Sequence, residues 1–191
     1  VYTNNQTSHA NARNADTGTV VIATAGRVQN SFSYVRSAGR SGTAYAIYRS
    51  FLQFDTSGIT GTVASATLKI YGYANGLADV IIVKSNAFGS GYEGATLAKE
   101  DFDSIPGFVD NQSMNGNVTD YSSEIATWST SGYNDITLNS TALTDMQNDD
   151  AFKIALINHD HDYKNVDPGI NASNLGGMYY TAYSGTSTDP I

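Results

Sequence analysis

The chain has 191 residues, enough for one domain with a sizeable core, and it carries a formal net charge of −8 and no cysteine. The acidic balance argues against nucleic-acid and anionic-membrane partners, because both are recognised through clustered lysine and arginine. The absence of cysteine excludes a disulfide framework and thiolate chemistry, and no apolar run is long enough for a transmembrane helix.

Short apolar runs, separated by turns rich in glycine, asparagine and serine, dominate the chain and predict β-strands. In chain order, the predicted strands are Thr19–Thr24, Ala44–Thr56, Ala66–Ala74, Ala78–Phe88, Asn134–Asn139, Phe152–Asn158 and Gly177–Ser184. Two further segments predict short helical turns, Thr96–Phe102 and Ser140–Asp149.

The run Ala66–Ala74 alternates most clearly. Leu68 and Ile70 are expected to face a core, and Tyr71 and Tyr73 the opposite side of the same strand. The composition and the run lengths together predict an all-β protein, an antiparallel β-sandwich or jelly roll of about eight or more strands with at most one or two short helices. We expect residues 1–191 to form a single jelly-roll domain, with about the first 15 residues as an extended arm and the last strand truncated at Ile191.

Three stretches carry a family resemblance. They are "YRSFLQFDTSGITGTVASATLKIYGY" (Tyr48–Tyr73), "WSTSGYNDITLN" (Trp128–Asn139) and "YTAYSGTSTDPI" (Tyr180–Ile191). Their order of arginine, apolar strand, Phe-Asp turn and alternating strand resembles the DNRLRE-type jelly-roll modules, which are related to some carbohydrate-binding modules. Such modules occur in bacteriophage virion proteins and in secreted polysaccharide-degrading proteins. The resemblance implies the fold and a place on a virion surface or outside a cell, but no shared motif transfers a binding site.

The first of these stretches also contains a buried-charge candidate. Phe51, Leu52 and Phe54 are expected to pack into a core, so that Arg49 beside them would need a carboxylate partner. Asp55 is the candidate nearest in sequence.

A second feature is the segment "ALINHDHDYKNVDPG", Ala155–Gly169, which holds two of the three histidines. If the strand continued through it, His159 and His161 would share a face, and two imidazoles with a carboxylate could bind zinc.

Two other interpretations of the same segment stay open. Asp160, Asp162 and Asp167 supply oxygen ligands of the kind that calcium takes, and the resemblance favours this, because jelly-roll binding modules often hold a structural calcium ion. The segment also fits an ordinary turn, in which aspartates bond the backbone and Tyr163 packs against the sandwich edge.

Aromatic side chains are the better indication of function. Sugar rings stack on tyrosine and tryptophan, which offer a flat apolar face and a polar tip. The candidate ligand-binding residues are Tyr71, Tyr73, Tyr45 and Trp128. The alternative is that these side chains fill the sandwich core or an intersubunit contact.

Catalytic motifs are absent from the sequence: it has no Gly-x-Ser-x-Gly elbow and no glycine-rich phosphate loop. The missing motifs lead us to expect a non-catalytic domain. The family resemblance implies a virion surface domain, such as a head decoration, fibre or tail protein of a bacteriophage, that acts in particle structure or attachment and could also bind glycan. Its expected partners are other virion or surface proteins, further copies of the chain, or polysaccharide. The alternative is a carbohydrate-binding module of a secreted enzyme or adhesin.

Overall fold

The computed structural model describes residues 1–22, 27–29, 34–39, 42–76, 79–90, 96–169, 173–174 and 176–179. Its strands are β1 (Arg27–Gln29), β2 (Tyr34–Gly39), β3 (Gly42–Ile47), β4 (Ser50–Asp55), β5 (Thr67–Gly76), β6 (Val80–Lys84), β7 (Tyr133–Thr137), β8 (Ala151–Asn158), β9 (Ser173–Asn174) and β10 (Gly176–Tyr179). Its helices are α1 (His9–Arg13), α2 (Ser140–Asn148), a 3-10 turn (Glu100–Asp103) and a one-turn π-helix (His159–Tyr163). Within these ranges, every helix is too short to cross a membrane.

The described strands form antiparallel sheets, which confirms the all-β class with few short helices. One sheet has the order β1-β10-β5-β7, a second the order β3-β2-β9, and a third the order β4-β8-β6. Every pairing between these strands is antiparallel.

The β4-β8-β6 sheet is covered on both faces. Ala155 and Ile157 of β8 pack into one apolar cluster, which includes residues of β3 and of the segment 102–114. Ile154 and Leu156 point to the other face and pack into a second cluster with residues of β5, β7 and α2. A strand buried on both faces carries apolar residues at successive positions, which is why residues 154–157 of β8 form an unbroken apolar run.

The predicted strand Ala44–Thr56 is broken at Tyr48 and Arg49, so predicting it as one strand was wrong. Its first half, β3, pairs with β2, and its second half, β4, pairs with β8. The alternation of large side chains runs through the break without interruption. The alternation in the sequence therefore gives no indication that the chain passes from one sheet to another.

The first residues, for which the sequence suggested an extended arm, pack against β3. Gln6 forms a β-bridge with Tyr45, and the Thr3 backbone N–H donates to the carbonyl of Ile47 at 3.0 Å. Ser8 then caps α1 by accepting a hydrogen bond from the Asn11 backbone N–H.

The predicted strand Thr19–Thr24 is described only as far as residue 22, where Val20 forms an isolated bridge with Tyr2. The predicted strand Gly177–Ser184 corresponds in part to β10. The closing stretch Tyr180–Ile191, on which the prediction of a last strand rests, lies outside the described residues.

Candidate functional site

The segment "HDHDY" forms the π-helical turn directly after β8. The side chain of Asn158, fully buried at the end of the strand, accepts a hydrogen bond from the His161 backbone N–H at 2.6 Å. The Lys164 backbone N–H closes the turn on the carbonyl of His159 at 2.8 Å. A helical turn does not keep alternate residues on one face, so the side chains of this segment separate.

Asp162 points inward and is fully buried. Its two carboxylate oxygens accept hydrogen bonds from the Nε and Nη2 atoms of Arg49, both at 2.8 Å. The Nε of Arg13, another fully buried arginine, lies 3.6 Å from the same carboxylate. Arg49 thus has the buried carboxylate partner that the sequence predicted, but the choice of Asp55 was wrong: Asp55 is exposed and bonds Ser57.

His161 and Asp167 form contacts within the loop that follows the π-helical turn. The His161 Nδ1 lies 2.8 Å from the carbonyl oxygen of Val166, and Asp167 accepts a hydrogen bond from the Gly169 backbone N–H at 2.9 Å. Among the described residues, Asp160, Asp162 and Asp167 do not form a group whose donor atoms are close enough together to hold a metal ion.

His159 is the member of the segment that joins an acidic cluster. Its Nδ1 lies 3.3 Å from Glu124 Oε2, 3.4 Å from Asp160 Oδ1 and 3.5 Å from Asp79 Oδ1. Among the described residues, Asp79, Glu124 and His159 are the group of three whose donor atoms, all within 4.8 Å of one another, could hold a metal ion.

The strand pairing fixes these residues next to one another. Asp79 immediately precedes β6 and His159 immediately follows β8, and Val80 is the partner of Asn158 in the β6–β8 pairing. The His159 backbone N–H accordingly donates to the carbonyl of Asp79 at 2.8 Å. On its other side, Val80 forms an isolated bridge with Ile125, which brings Glu124 alongside.

Burial shapes the electrostatics of the cluster. The side chains of His159 and Asp79 are 9% and 13% exposed, and burial is the main cause that raises the pKa of the Asp79 carboxyl. The ring of His159 stacks on Tyr163, with centroids 5.6 Å apart. The Tyr163 hydroxyl donates to Asp120 at 2.7 Å, and burial together with this hydrogen bond raises the pKa of Tyr163.

Sequence reasoning therefore identified part of the cluster, His159 and Asp160, and missed Asp79 and Glu124. The signal for His159 and Asp160 was the dense His/Asp run. Asp79 and Glu124 lie far from this run in sequence, and only the pairing on both sides of β6 brings them to it.

The outer face of β5 and β7 carries the predicted tyrosines. Leu68 and Ile70 are buried, as expected, and Tyr71 and Tyr73 share the opposite face, where both are half-buried. Tyr71 pairs across the strands with Tyr133, and the two rings meet edge to face with centroids 5.2 Å apart.

Tyr45 and Trp128 lie in the core instead of on a surface. Tyr45 is 6% exposed and belongs to the cluster on one side of the β4-β8-β6 sheet. Trp128 is 8% exposed, belongs to the cluster on the other side, and donates from Nε1 to the carbonyl of Gly177 at 3.0 Å. Neither residue presents a ring face for stacking.

A polar cleft of about 350 Å³ lies where β6, β8 and the end of α2 meet. Lys84 crosses it to Asp145, at 3.0 Å, and lies 3.7 Å from Asp149. The Tyr121 hydroxyl donates to the same Asp145 carboxylate, and burial and this contact raise the pKa of Tyr121. The lysine is thus engaged by acids of its own chain.

Comparison with known proteins assigns no family. No family model matches the chain, and no curated protein is significantly similar to it. The functional assignment depends on the geometry described above and on the sequence resemblance.

Proposed function

We propose that the chain is a non-catalytic jelly-roll domain of a bacteriophage particle, a head decoration, fibre or tail component that acts in particle structure or attachment, and that it binds glycan through its tyrosine face. The tyrosine face is the outer side of β5 and β7 around Tyr71, Tyr73 and Tyr133. The observation that carries the proposal is the position of these three side chains together on one sheet surface.

The packing supports the jelly-roll part of the proposal. The β4-β8-β6 sheet and the strands β5 and β7 contribute side chains to one shared apolar cluster, as two facing sheets of a sandwich do. At Tyr48 and Arg49 the chain passes from one sheet to another. Sandwich proteins have corners of this kind, where consecutive strands belong to different sheets.

The tyrosine face has the chemistry of a sugar platform. A tyrosine ring offers an apolar face to the C–H groups of a sugar, and its hydroxyl can form hydrogen bonds with the sugar hydroxyls. Tyr71 is held in place by its own hydroxyl, which donates to the carbonyl of Ser131 at 2.9 Å. The ring is therefore oriented before a ligand arrives, which lowers the entropic cost of binding.

The charge of the chain favours a neutral ligand. The net charge of −8 repels acidic polysaccharides. On the tyrosine face, Lys69 lies 3.4 Å from Asp135, so that its charge is already paired. A neutral glycan of a bacterial surface is the expected ligand class.

A binding panel tests this proposal. The purified chain is titrated with neutral and acidic bacterial and algal polysaccharides, in calcium and then in EDTA. We expect saturable binding to a neutral polymer that is lost in Tyr71→Ala and Tyr73→Ala. Tyr2→Ala is the matched control, because Tyr2 is another half-buried tyrosine in an aromatic pair, stacked on Tyr48 away from β5 and β7. Equal binding by all three variants, or cleavage of any polymer, would contradict the proposal.

The same tyrosine face also supports a second candidate, a carbohydrate-binding module of a secreted enzyme or adhesin. The two candidates differ in assembly. A particle component should form a stable homo-oligomer or associate with a capsid or tail protein, whereas a module tethered to an enzyme should remain monomeric and bind polysaccharide alone. Sedimentation of the purified chain, alone and with isolated phage particles, separates them.

A further inference from the structure

We infer that Asp79, Glu124 and His159, with Asp160 beside them, form a binding site for a divalent transition-metal ion of the zinc class, which fastens β6, β8 and the strand-like segment at Ile125 together. The name metal cluster is used below for these four residues. The inference goes beyond the proposed function and does not depend on it.

Two buried polar atoms of the metal cluster are unsatisfied. The His159 Nδ1 and the Asp79 Oδ1 are buried and have no hydrogen-bond partner. An unpaired buried polar atom costs free energy, and native proteins rarely leave one without a reason. The side chain of His159 is 9% exposed and its Nδ1 points at three carboxylate oxygens. A cation among these atoms would satisfy all of them together.

The donor atoms of the metal cluster have the spacing of a zinc site. Zinc holds nitrogen and oxygen ligands at about 2.0–2.2 Å in a tetrahedron, so that neighbouring ligand atoms are about 3.3–3.6 Å apart. The three distances from His159 Nδ1 to Glu124, Asp160 and Asp79 are 3.3, 3.4 and 3.5 Å. These distances match the spacing between one ligand atom of such a tetrahedron and each of the other three.

The side chains of the metal cluster are already oriented by other contacts. The His159 backbone is hydrogen-bonded to the Asp79 carbonyl, and the Asp160 backbone N–H donates at 3.1 Å to Oδ2 of Asp79, leaving Oδ1 for another partner. The His159 ring is stacked on Tyr163, which fixes its plane. Contacts of this kind orient metal ligands in known sites.

The ligand types select the ion. Calcium takes six to eight oxygen ligands and avoids nitrogen, whereas an imidazole with carboxylates suits zinc and its first-row neighbours. The side chains of Glu124 and Asp160 are 42% and 48% exposed, which gives an ion a path from solvent. Asp160 also lies 3.2 Å from Lys164, a contact that metal binding would compete with.

Calorimetry on the full chain tests the site. The protein is stripped with EDTA, dialysed, and titrated with zinc chloride and, separately, calcium chloride. We expect one zinc ion per chain, calcium binding at least about tenfold weaker, and a loss of about tenfold or more in zinc affinity in Glu124→Gln. Glu100→Gln is the matched control, because it makes the same chemical change at an exposed glutamate outside the metal cluster. Glu124 is partly exposed, so its variant should fold.

The histidine ring resonances provide a second measurement. Zinc should shift the ring signals of His159 and leave those of His9 and His161 in place. The metal site would be refuted by no zinc binding, by equal zinc affinity in Glu124→Gln and Glu100→Gln, or by shifts at His9 or His161 instead of His159. Calcium binding tighter than zinc would also overturn it, because His159 could then not be a ligand.

Discussion

The replacement of Asp162 by asparagine tests the buried charge network most sharply. Asp162 is the anion that faces two fully buried arginines, Arg13 and Arg49. Arg49 also donates to the carbonyls of Phe102 and Arg13, at 2.7 and 3.0 Å. Asp162→Asn keeps the size of the side chain, removes its charge, and leaves both guanidinium groups without their buried counter-ion.

The burial of the ion pair determines how much stability the Asp162→Asn variant loses. Breaking a buried ion pair from one side costs about 3–5 kcal/mol, because an uncompensated charge stays in a poorly polarisable interior. A domain of ordinary stability has about 5–15 kcal/mol in total, so the variant should lose about a fifth or more of it. Asp135→Asn is the matched control. Its partner Lys69 is 43% exposed, and pairs of that kind contribute about 0–1 kcal/mol.

Urea denaturation at neutral pH, followed by circular dichroism, measures both variants against the wild-type chain. We expect the free energy of unfolding to fall by about 3–5 kcal/mol in Asp162→Asn and by less than about 1 kcal/mol in Asp135→Asn. Equal and small losses in the two variants would refute the buried arrangement of Arg13, Arg49 and Asp162.

Two further predictions concern a close backbone approach and a titrating side chain. Gly72→Ala should destabilise the fold by about 1–3 kcal/mol or more in the same urea assay, because its new Cβ would lie 1.6 Å from the Ser129 carbonyl oxygen. Gly58→Ala is the control and should leave the free energy of unfolding nearly unchanged, because no atom lies within 4 Å of its new Cβ. Hydrogen bonds from Ser57 lower the pKa of Asp55, so this carboxylate stabilises the fold above its unfolded pKa and loses that contribution as the pH falls through its folded pKa. Ser57→Ala should raise the pKa of Asp55 in an NMR titration, and an unchanged titration would contradict this assignment.

The sequence predicted the strands whose pattern is local. In β5, Leu68 and Ile70 alternate with polar and aromatic neighbours, and the buried and outer faces came out as expected. The helix α2 was also predicted, and the side chain of Asn139 caps it by accepting a hydrogen bond from the Ala142 backbone N–H. In each case the deciding interactions lie within a few residues of one another.

The break between β3 and β4 could not be predicted in the same way. Arg49 sits at the break and is buried, and its partner Asp162 is 113 residues away. Nothing near Arg49 in sequence indicates that partner, so the nearest acid, Asp55, was chosen. The short helix α1 was missed because its five residues, His9–Arg13, show no apolar periodicity; the capping Ser8 was the available signal.

The metal cluster, too, could be predicted from the sequence only in part. His159 and Asp160 stand in a conspicuous run, but the run forms a π-helical turn instead of continuing the strand, and this turn separates His159 from His161 and sends Asp162 into the core. Glu124 joins through one isolated bridge between Val80 and Ile125. A single bridge of that kind leaves no pattern in the sequence.

The measurement that tests the proposed function most directly is NMR mapping of the best-binding oligosaccharide from the polysaccharide panel. The account predicts that the ring signals of Tyr71, Tyr73 and Tyr133 shift together on titration, and that saturation passes from these rings to the sugar. Shifts confined to the polar cleft around Lys84 and Asp149, with the three tyrosines unchanged, would contradict it.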